Sequence, residues 1–510
     1  MKKRLKTIVL SLLIVIMAVT MATPALAYIP YNTYLYNFYG ETVGSPSGYV
    51  PETLYLAEDL GISSIHNPND IYVSDDNEIY FLDLGGDNAK GRLCIFNSDF
   101  KLLKEFKNLT DIDGSAYYMK NPCGVTLDKD GYIYICDTDN AAVLKMTKEG
   151  QIILKYEQPG EDVFDESYTY QPYKIAIGIN GAAYVISRGC LDGILEFDVD
   201  GEFVRFFGAP RVQLSVVDYI NQYWRSIYRA FGGADVDSQF VTFVPTEFEN
   251  LDIDDNGFIF STVIASESSI DEVSKLNFTG SNVLSPTTKS TKKISDSLSK
   301  NYGDLEVLGK DFDNNFVDIV VDDDGFFSVL DTKLSKIFEY DAEGNLVFIY
   351  GGEGQQVGTM EQASAMAKLG TKTLVTDQTI CGIIVYDLSD YGQALHNAVV
   401  LYNKGLYNEA EPLWREVLMY NANSDIAHVG IGKVYYMNGQ YKEAMSEFEL
   451  ANDRENYSRS YELYRKEYVR EHFGLFMTVI ILLIVLIVLW RHFGKKIIQI
   501  IKSKREGGVQ

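Results

Sequence analysis

Histidine and cysteine are scarce in this 510-residue chain, with five of each. The cysteines, Cys94, Cys123, Cys136, Cys190 and Cys381, are odd in number, widely spaced and without a Cys-x-x-Cys pair. That argues against a disulfide framework and against a zinc site, and most of them read as small buried hydrophobes. Only His66 precedes the last quarter of the chain, so no multi-histidine centre can be assembled before it. A Gly-rich phosphate loop, a Ser nucleophile elbow and a Cys/His pair are all missing, and no cofactor is called for. Positive charge is short as well: 45 Lys and Arg stand against 71 Asp and Glu, a net −26. Such a body is repelled by nucleic acid and by anionic lipid surfaces.

What is abundant is a repeated sentence. Residues 127–137 read Leu-Asp-Lys-Asp-Gly-Tyr-Ile-Tyr-Ile-Cys-Asp: an Asp-rich turn closed by Gly131, then a β-branched and aromatic run, which predicts two antiparallel strands. Residues 73–83 repeat it with Asn77 in the place of Gly131, and Asn also accepts the left-handed turn conformation. Further copies centre on Asn180-Gly181, Asn256-Gly257, Asp324-Gly325 and, degraded, Gly370-Thr371. The residues ending each second strand are Asp83, Asp137, Ser187, Val263, Asp331 and Asp377, at intervals of 54, 50, 76, 68 and 46. A second hairpin follows in each copy, as at 143–154, 194–206 and 336–350. Six copies of four strands at this period predict a mainly β fold, a six-bladed β-propeller. A propeller must close its ring, and residues 53–56 are the candidate closing strand.

Several copies open on a proline: Asn67-Pro68-Asn69-Asp70, Asn121-Pro122-Cys123-Gly124, Gln171-Pro172-Tyr173-Lys174 and Val244-Pro245-Thr246-Glu247. With the stretch Asp137-Thr138-Asp139-Asn140 after a second strand, the pattern over residues 61–392 resembles the NHL repeat. The tract from Tyr28 through Gly48-Tyr49-Val50-Pro51 into Pro68 further resembles the opening of exported, surface-anchored NHL proteins of Gram-positive bacteria. That resemblance implies a ligand or protein partner on a propeller face, with a sugar transporter or cell-envelope complex as the partner class.

The ends carry targeting signals. Met-Lys-Lys-Arg-Leu-Lys, an apolar run and Ala25-Leu26-Ala27 predict a secretory signal peptide over 1–27. No cysteine follows closely, so no lipoprotein anchor is expected there. Residues 28–60 form a Tyr-rich N-terminal extension with the ring-closing strand. From 393 to 472 the period changes to helical: Gly405, Ala410 and Trp414 recur 34 residues later as Gly439, Ala444 and Phe448. The second copy resembles a tetratricopeptide repeat, which implies a protein contact. Residues 473–490 are an uncharged apolar run followed by Arg491, Lys495 and Lys496, which predicts one transmembrane helix and a basic cytoplasmic tail, 491–510. Residues 497–501 within that tail predict a short interfacial helix. The expected location is therefore the cell membrane, single-pass, with the N-terminal bulk extracytoplasmic. Removing the charges of the two basic ends leaves about −35 on that bulk.

Two insertions break the period. Residues 209–243 predict an amphipathic helix at 216–229, and 281–310 read as a Ser-, Thr- and Lys-rich loop. Loops on a rigid scaffold carry function, and Tyr168, Tyr170, Tyr173, Tyr223 and Trp224 are the candidate ligand-binding residues, because an aromatic surface stacks on saccharide rings. The reading is a membrane-anchored extracytoplasmic binding scaffold. Its partners would be a protein in or near the membrane or a carbohydrate ligand. The alternative is a metal-dependent lactonase-like or lyase-like enzyme: relatives with propeller architecture imply a channel metal, and Asp70, Glu247 and Asp318 fall near matching inner-strand starts. A calcium loop at Asp252-x-Asp254-x-Asn256-Gly257 lacks the closing Glu, since Val263 stands at position twelve.

Overall fold

The computed structural model describes residues 29–37, 40–84, 90–160, 164, 168–208, 247–263, 272–284, 302–304 and 314–506. The chain divides into two units, 1–393 and 394–510. The proposed signal peptide, the helix at 216–229 and most of the Ser/Thr/Lys-rich stretch lie outside the described residues.

The first unit is a six-bladed β-propeller. Its inner strands are Pro68–Val73, Pro122–Leu127, Pro172–Ile177, Phe248–Ile253, Phe316–Val321 and Ala363–Leu369, each lying beside the next, with the last returning to the first. Blades 1, 2, 3 and 5 are four-stranded meanders in chain order. Blade 4 departs from the expected four strands: among the described residues it has three, ending at Val273–Leu276, with an isolated bridge from Leu276 to Asn282 beyond its last turn. Blade 6 takes its fourth strand from the N-terminal extension, where Tyr49–Tyr55 pairs antiparallel with Gly382–Leu388. This closing strand starts four residues before 53–56 and stops at Tyr55.

The repeated acids have a structural use. At the hairpin turns an Asp side chain mimics a backbone carbonyl: Asp128 Oδ1 accepts the N–H groups of Asp130 and Tyr132, both at 3.0 Å, while Gly131 takes φ +82°. Asp254 does the same for Asn256 and Phe258 at 3.0 and 2.8 Å, whereas Asp252 accepts from Val321 N of the next blade. The calcium-like spacing is thus hairpin and interblade chemistry. The Asp ending the second strand fastens the chain that enters the blade. Asp83 Oδ1 accepts from His66 N and Asn67 N, Asp137 Oδ1 from Lys120 N, and Asp377 Oδ2 from Glu361 N and Gln362 N.

Of the N-terminal tyrosines, Tyr34, Tyr36 and Tyr49 pack rather than project. Tyr34 and Tyr36 both donate their hydroxyls to Asp304, which also holds Lys336 Nζ at 2.7 Å. Tyr49 stacks on Tyr350 with ring centroids 4.4 Å apart.

The second unit is helical. Helices α1 (Asp390–Asn403), α2 (Tyr407–Tyr420), α3 (Asp425–Met437), α4 (Tyr441–Leu450), α5 (Arg454–Glu471) and α6 (Phe473–Glu506) follow in order, α1 beginning at the end of the first unit. Gly405 and Gly439, with φ of +76° and +75°, stop α1 and α3 in the left-handed conformation. The paired aromatics converge on α3: a Cβ on Gly430 would lie 2.4 Å from Trp414, and one on Gly432 2.7 Å from Phe448. Two glycines on opposing faces of α3 let α2 and α4 approach it closely from either side. Helix α6 is one continuous helix of 34 residues, so 497–501 are its continuation and not a separate short helix. Among the described residues it is the one helix long and apolar enough to cross a membrane, over Phe473–Ile501, and none of its most apolar stretch is buried.

Candidate functional site

Each inner strand carries a register irregularity two residues from its start, and the residue after it occupies the same place in every blade. These six are Asp70, Gly124, Lys174, Asn250, Asp318 and Ala365. Their successors along the strand, Val125, Ile175, Leu251 and Ile319 among them, enter the cores between blades. A hydrophobic strand start thus alternates with a polar position.

An inner strand pairs on one side only, so its other edge carries backbone N–H and C=O groups that need partners. The ring residues supply them from the preceding blade. Asp70 Oδ2 accepts from Val125 N at 2.7 Å, Asp318 Oδ2 from Met366 N at 2.5 Å, and Asn250 donates Nδ2 to Val317 O at 3.2 Å. Asn250 also donates to Asp318 Oδ1. Lys174 Nζ reaches past blade 2 to Asp70 Oδ1 at 2.7 Å. Gly124 is what lets the strands meet so closely there, since a Cβ on it would lie 2.8 Å from Tyr173 O and 3.1 Å from Lys174 Cα. Asp70, Lys174, Asn250 and Asp318 are all under 8% exposed, so the ring is an internal polar seam.

Its electrostatics follow from burial. Desolvation pushes the Asp318 carboxyl up to about 7, with Lys174 pulling it down and Asp70 pushing it up. Asp252, half-buried two residues beyond Asn250 on its strand, is pushed up to about 6, chiefly by desolvation. An aspartate in the unfolded chain titrates near about 4. The folded propeller therefore holds more protons between about pH 4 and about 7, and this part of its stability is lost as pH rises through that window. The wild type is expected to melt higher at pH 5 than at pH 8. Asp318→Asn should flatten that slope; thermal melts with an unchanged slope would refute the assignment.

Among the described residues the carboxylates at the inner-strand starts are not arranged to hold a metal. Asp70 and Asp318 are engaged by Lys174, Asn250 and backbone N–H groups. Glu247 is held elsewhere, accepting from Gly189 N at 2.8 Å and lying 3.7 Å from Arg188 Nη1. Among the described residues no group of three or more His, Cys, Asp or Glu side chains is placed to hold one. The three carboxylates that strand position relates are thus not brought together.

The candidate aromatic residues fare differently from one another. Tyr170 is fully buried in the core between blades 2 and 3, which corrects the expectation of a stacking face there. Its apolar ring is worth more inside that core than in water. Tyr168 is stacked on Phe164, centroids 4.0 Å apart, and bonds Ser187 Oγ at 2.5 Å. Tyr173 has the Arg188 guanidinium 3.5 Å over its ring, held there by a bidentate pair to Glu249 at 2.6 and 2.7 Å. These rings are already engaged within the propeller. Tyr223 and Trp224 lie outside the described residues. Sequence reasoning missed Lys174, Asn250 and Arg188; the signal for the first two was their shared offset from the strand start with Asp70 and Asp318.

No family model matches the sequence, and no curated protein matches it. Solved structures of similar fold include virginiamycin B lyase from Staphylococcus aureus, at 13% identity over 64% of this chain and 82% of that one, TM-score 0.34. The β-propeller domain of Cps50 (Swd1) from Myceliophteria thermophila is 9% identical over 67% of this chain and 100% of that one, TM-score 0.38. A protein of unknown function from Bacteroides thetaiotaomicron is 12% identical over 70% and 76%, TM-score 0.38. At these identities none of them bears on the chemistry of this chain. The chain itself is a six-bladed β-propeller followed by a helical segment with one apolar helix.

Proposed function

We propose that this protein is a membrane-anchored binding scaffold that displays its propeller outside the cell. The observation that carries the anchor is the apolar stretch of α6, none of which is buried against the protein. An exposed apolar surface of that extent needs a non-aqueous environment. The basic residues Arg491, Lys495 and Lys496 at its C-terminal side favour a cytoplasmic C-terminus, and the signal-like N-terminus an exported propeller. What supports binding over catalysis is that the axial carboxylates are engaged by Lys174, Asn250 and the edges of neighbouring blades. A protein in or near the same membrane, such as a sugar transporter or cell-envelope complex, is the partner class that fits a propeller and helical hairpins carried on one anchor; a carbohydrate is the alternative ligand.

The test of the anchor is fractionation. Full-length protein is expected in the membrane pellet, resistant to alkaline carbonate, with protease added to intact cells cutting the propeller. A chain ending at His472 should leave the pellet entirely. Full-length protein found in the soluble fraction would overturn the reading.

A further inference from the structure

Helix α5 presents three faces. Ser460, fully buried, marks the one that packs against α4. A second carries exposed opposite charges one helical turn apart, with Arg459 2.5 Å from Glu455 and Lys466 2.6 Å from Glu462. The third is aromatic. Tyr457, Tyr461, Tyr464 and Tyr468 are spaced by four, three and four positions, and at 100° per residue they fall within about 60° of one another. That stripe lies on the side of the helix away from the paired charges. Tyr461 and Tyr468 are 47% and 44% exposed.

The stripe runs on toward the apolar helix. His472 N donates to Tyr468 O at 3.1 Å and Phe476 N to His472 O at 3.0 Å, so the helical ladder continues from α5 into α6. The His472 ring stacks on Tyr468 with centroids 4.3 Å apart, and Phe476 stands 6.4 Å from the same ring. Lipid reaches only the lower end of this surface. Counted from Phe473 at about 1.5 Å per residue, Tyr457 stands about 24 Å out and Tyr461 about 18 Å, whereas the headgroup layer on one side of a bilayer is about 5–8 Å deep. An exposed aromatic stripe in water, rimmed by charge, marks a contact with protein.

We infer that this stripe is the interface between two copies of the chain, packed as parallel helices just outside the membrane. Spacings of four and three alternate in the seam of a two-stranded coiled coil, which is the spacing the tyrosines keep. Two copies anchored through α6 in one membrane point the same way and carry α5 at the same height, so their stripes meet in register. The flanking charges agree with that orientation. Glu467 and Glu471 stand on one side of the stripe, Arg465 and His472 on the other. In a parallel pair related by a twofold axis each acidic flank faces the other copy's basic flank, whereas in an antiparallel pair acid would face acid. Glu467 is 40% exposed and makes only a loose 3.6 Å contact with Arg470 of its own helix, which leaves it room for that role. The inference rests on α6 being membrane-spanning, as proposed above.

The test is disulfide crosslinking of the full-length protein in native membranes, with single cysteines placed in a Cys381→Ser background, the other four native cysteines being buried. Under copper-phenanthroline, Tyr461→Cys and Tyr468→Cys should each give severalfold more covalent dimer than Arg459→Cys and Lys466→Cys on the charged face. Adding Glu467→Arg to the Tyr468→Cys chain should cut its yield severalfold, and adding Arg465→Glu as well should restore it. Equal yields at all four positions would mean random collision and overturn the inference. So would the absence of dimer, or a Tyr468→Cys adduct whose mass shows a different protein, on chains that still resist carbonate extraction; the anchor would then stand. A yield unmoved by Glu467→Arg would overturn the parallel pairing of the flanks. Protein that carbonate extracts would sink the anchor itself.

Discussion

Lys368→Met is expected to lower the stability of the propeller by about 3–5 kcal/mol, because it leaves a buried carboxylate without its counter-charge. Lys368 Nζ lies 2.7 Å from Glu339 Oε2, and the Glu339 side chain is fully buried. Lys368 also donates to Tyr49 and Thr373, at 3.0 and 3.1 Å. Tyr49 in turn donates its hydroxyl to Glu339 Oε2 at 2.8 Å. Tyr49 is the first residue of the strand that closes the ring, so one buried ion pair between blades 5 and 6 holds the end of that strand. Urea unfolding of the solubilised full-length protein measures the loss, and proteolysis within residues 29–48 should quicken in the variant. Removing both charges, as Lys368→Met with Glu339→Leu, should recover much of the stability, since replacing a buried pair by apolar side chains costs far less than breaking it. A midpoint unchanged in the single variant would show that closure does not depend on the pair.

The second large effect is at the axis. Lys174→Met leaves Asp70 and Asp318, both nearly inaccessible to water, without the ammonium that compensates them. A loss of about 3–5 kcal/mol is expected at pH 8. At pH 5 the loss should be smaller. Without Lys174 both carboxyls are pushed further up, so they take up protons in the folded state, and the added penalty is present only once pH rises past their folded values. Melting curves at the two pH values read the difference directly; an equal loss at both would mean that Lys174 acts by packing alone. Gly124→Ala probes the same seam sterically, since its Cβ would stand 2.8 Å from Tyr173 O.

These two sites show where the sequence was legible and where it was not. The hairpin turns were readable because their determinants are local: Asp128, Gly131 and their counterparts fix a turn within five residues, and six repetitions leave one architecture. The apolar helix was readable for the same reason, since length and composition decide it. The repeated Trp414 and Phe448 were visible as a pair, but the glycines they meet, Gly430 and Gly432, both lie on α3, between the two helices that carry the aromatics. Tyr170 misled because aromatic surface is equally suited to a ligand and to a core, and only packing chooses.

By itself, then, the sequence determined a repeated β-meander, its six-fold count, the change to helices after the propeller and an apolar helix followed by basic residues. All of these rest on patterns within one strand, one turn or one helix. The tertiary structure alone decided that Asp70, separated from Lys174 by 104 residues, meets it across the axis, that Glu339 and Lys368 hold the end of the N-terminal strand, and that Glu247 stays apart from both channel carboxylates. The physical reason is that such contacts depend on how blades turn about a common axis, and on a single missing side chain at Gly124, neither of which leaves a period in the sequence.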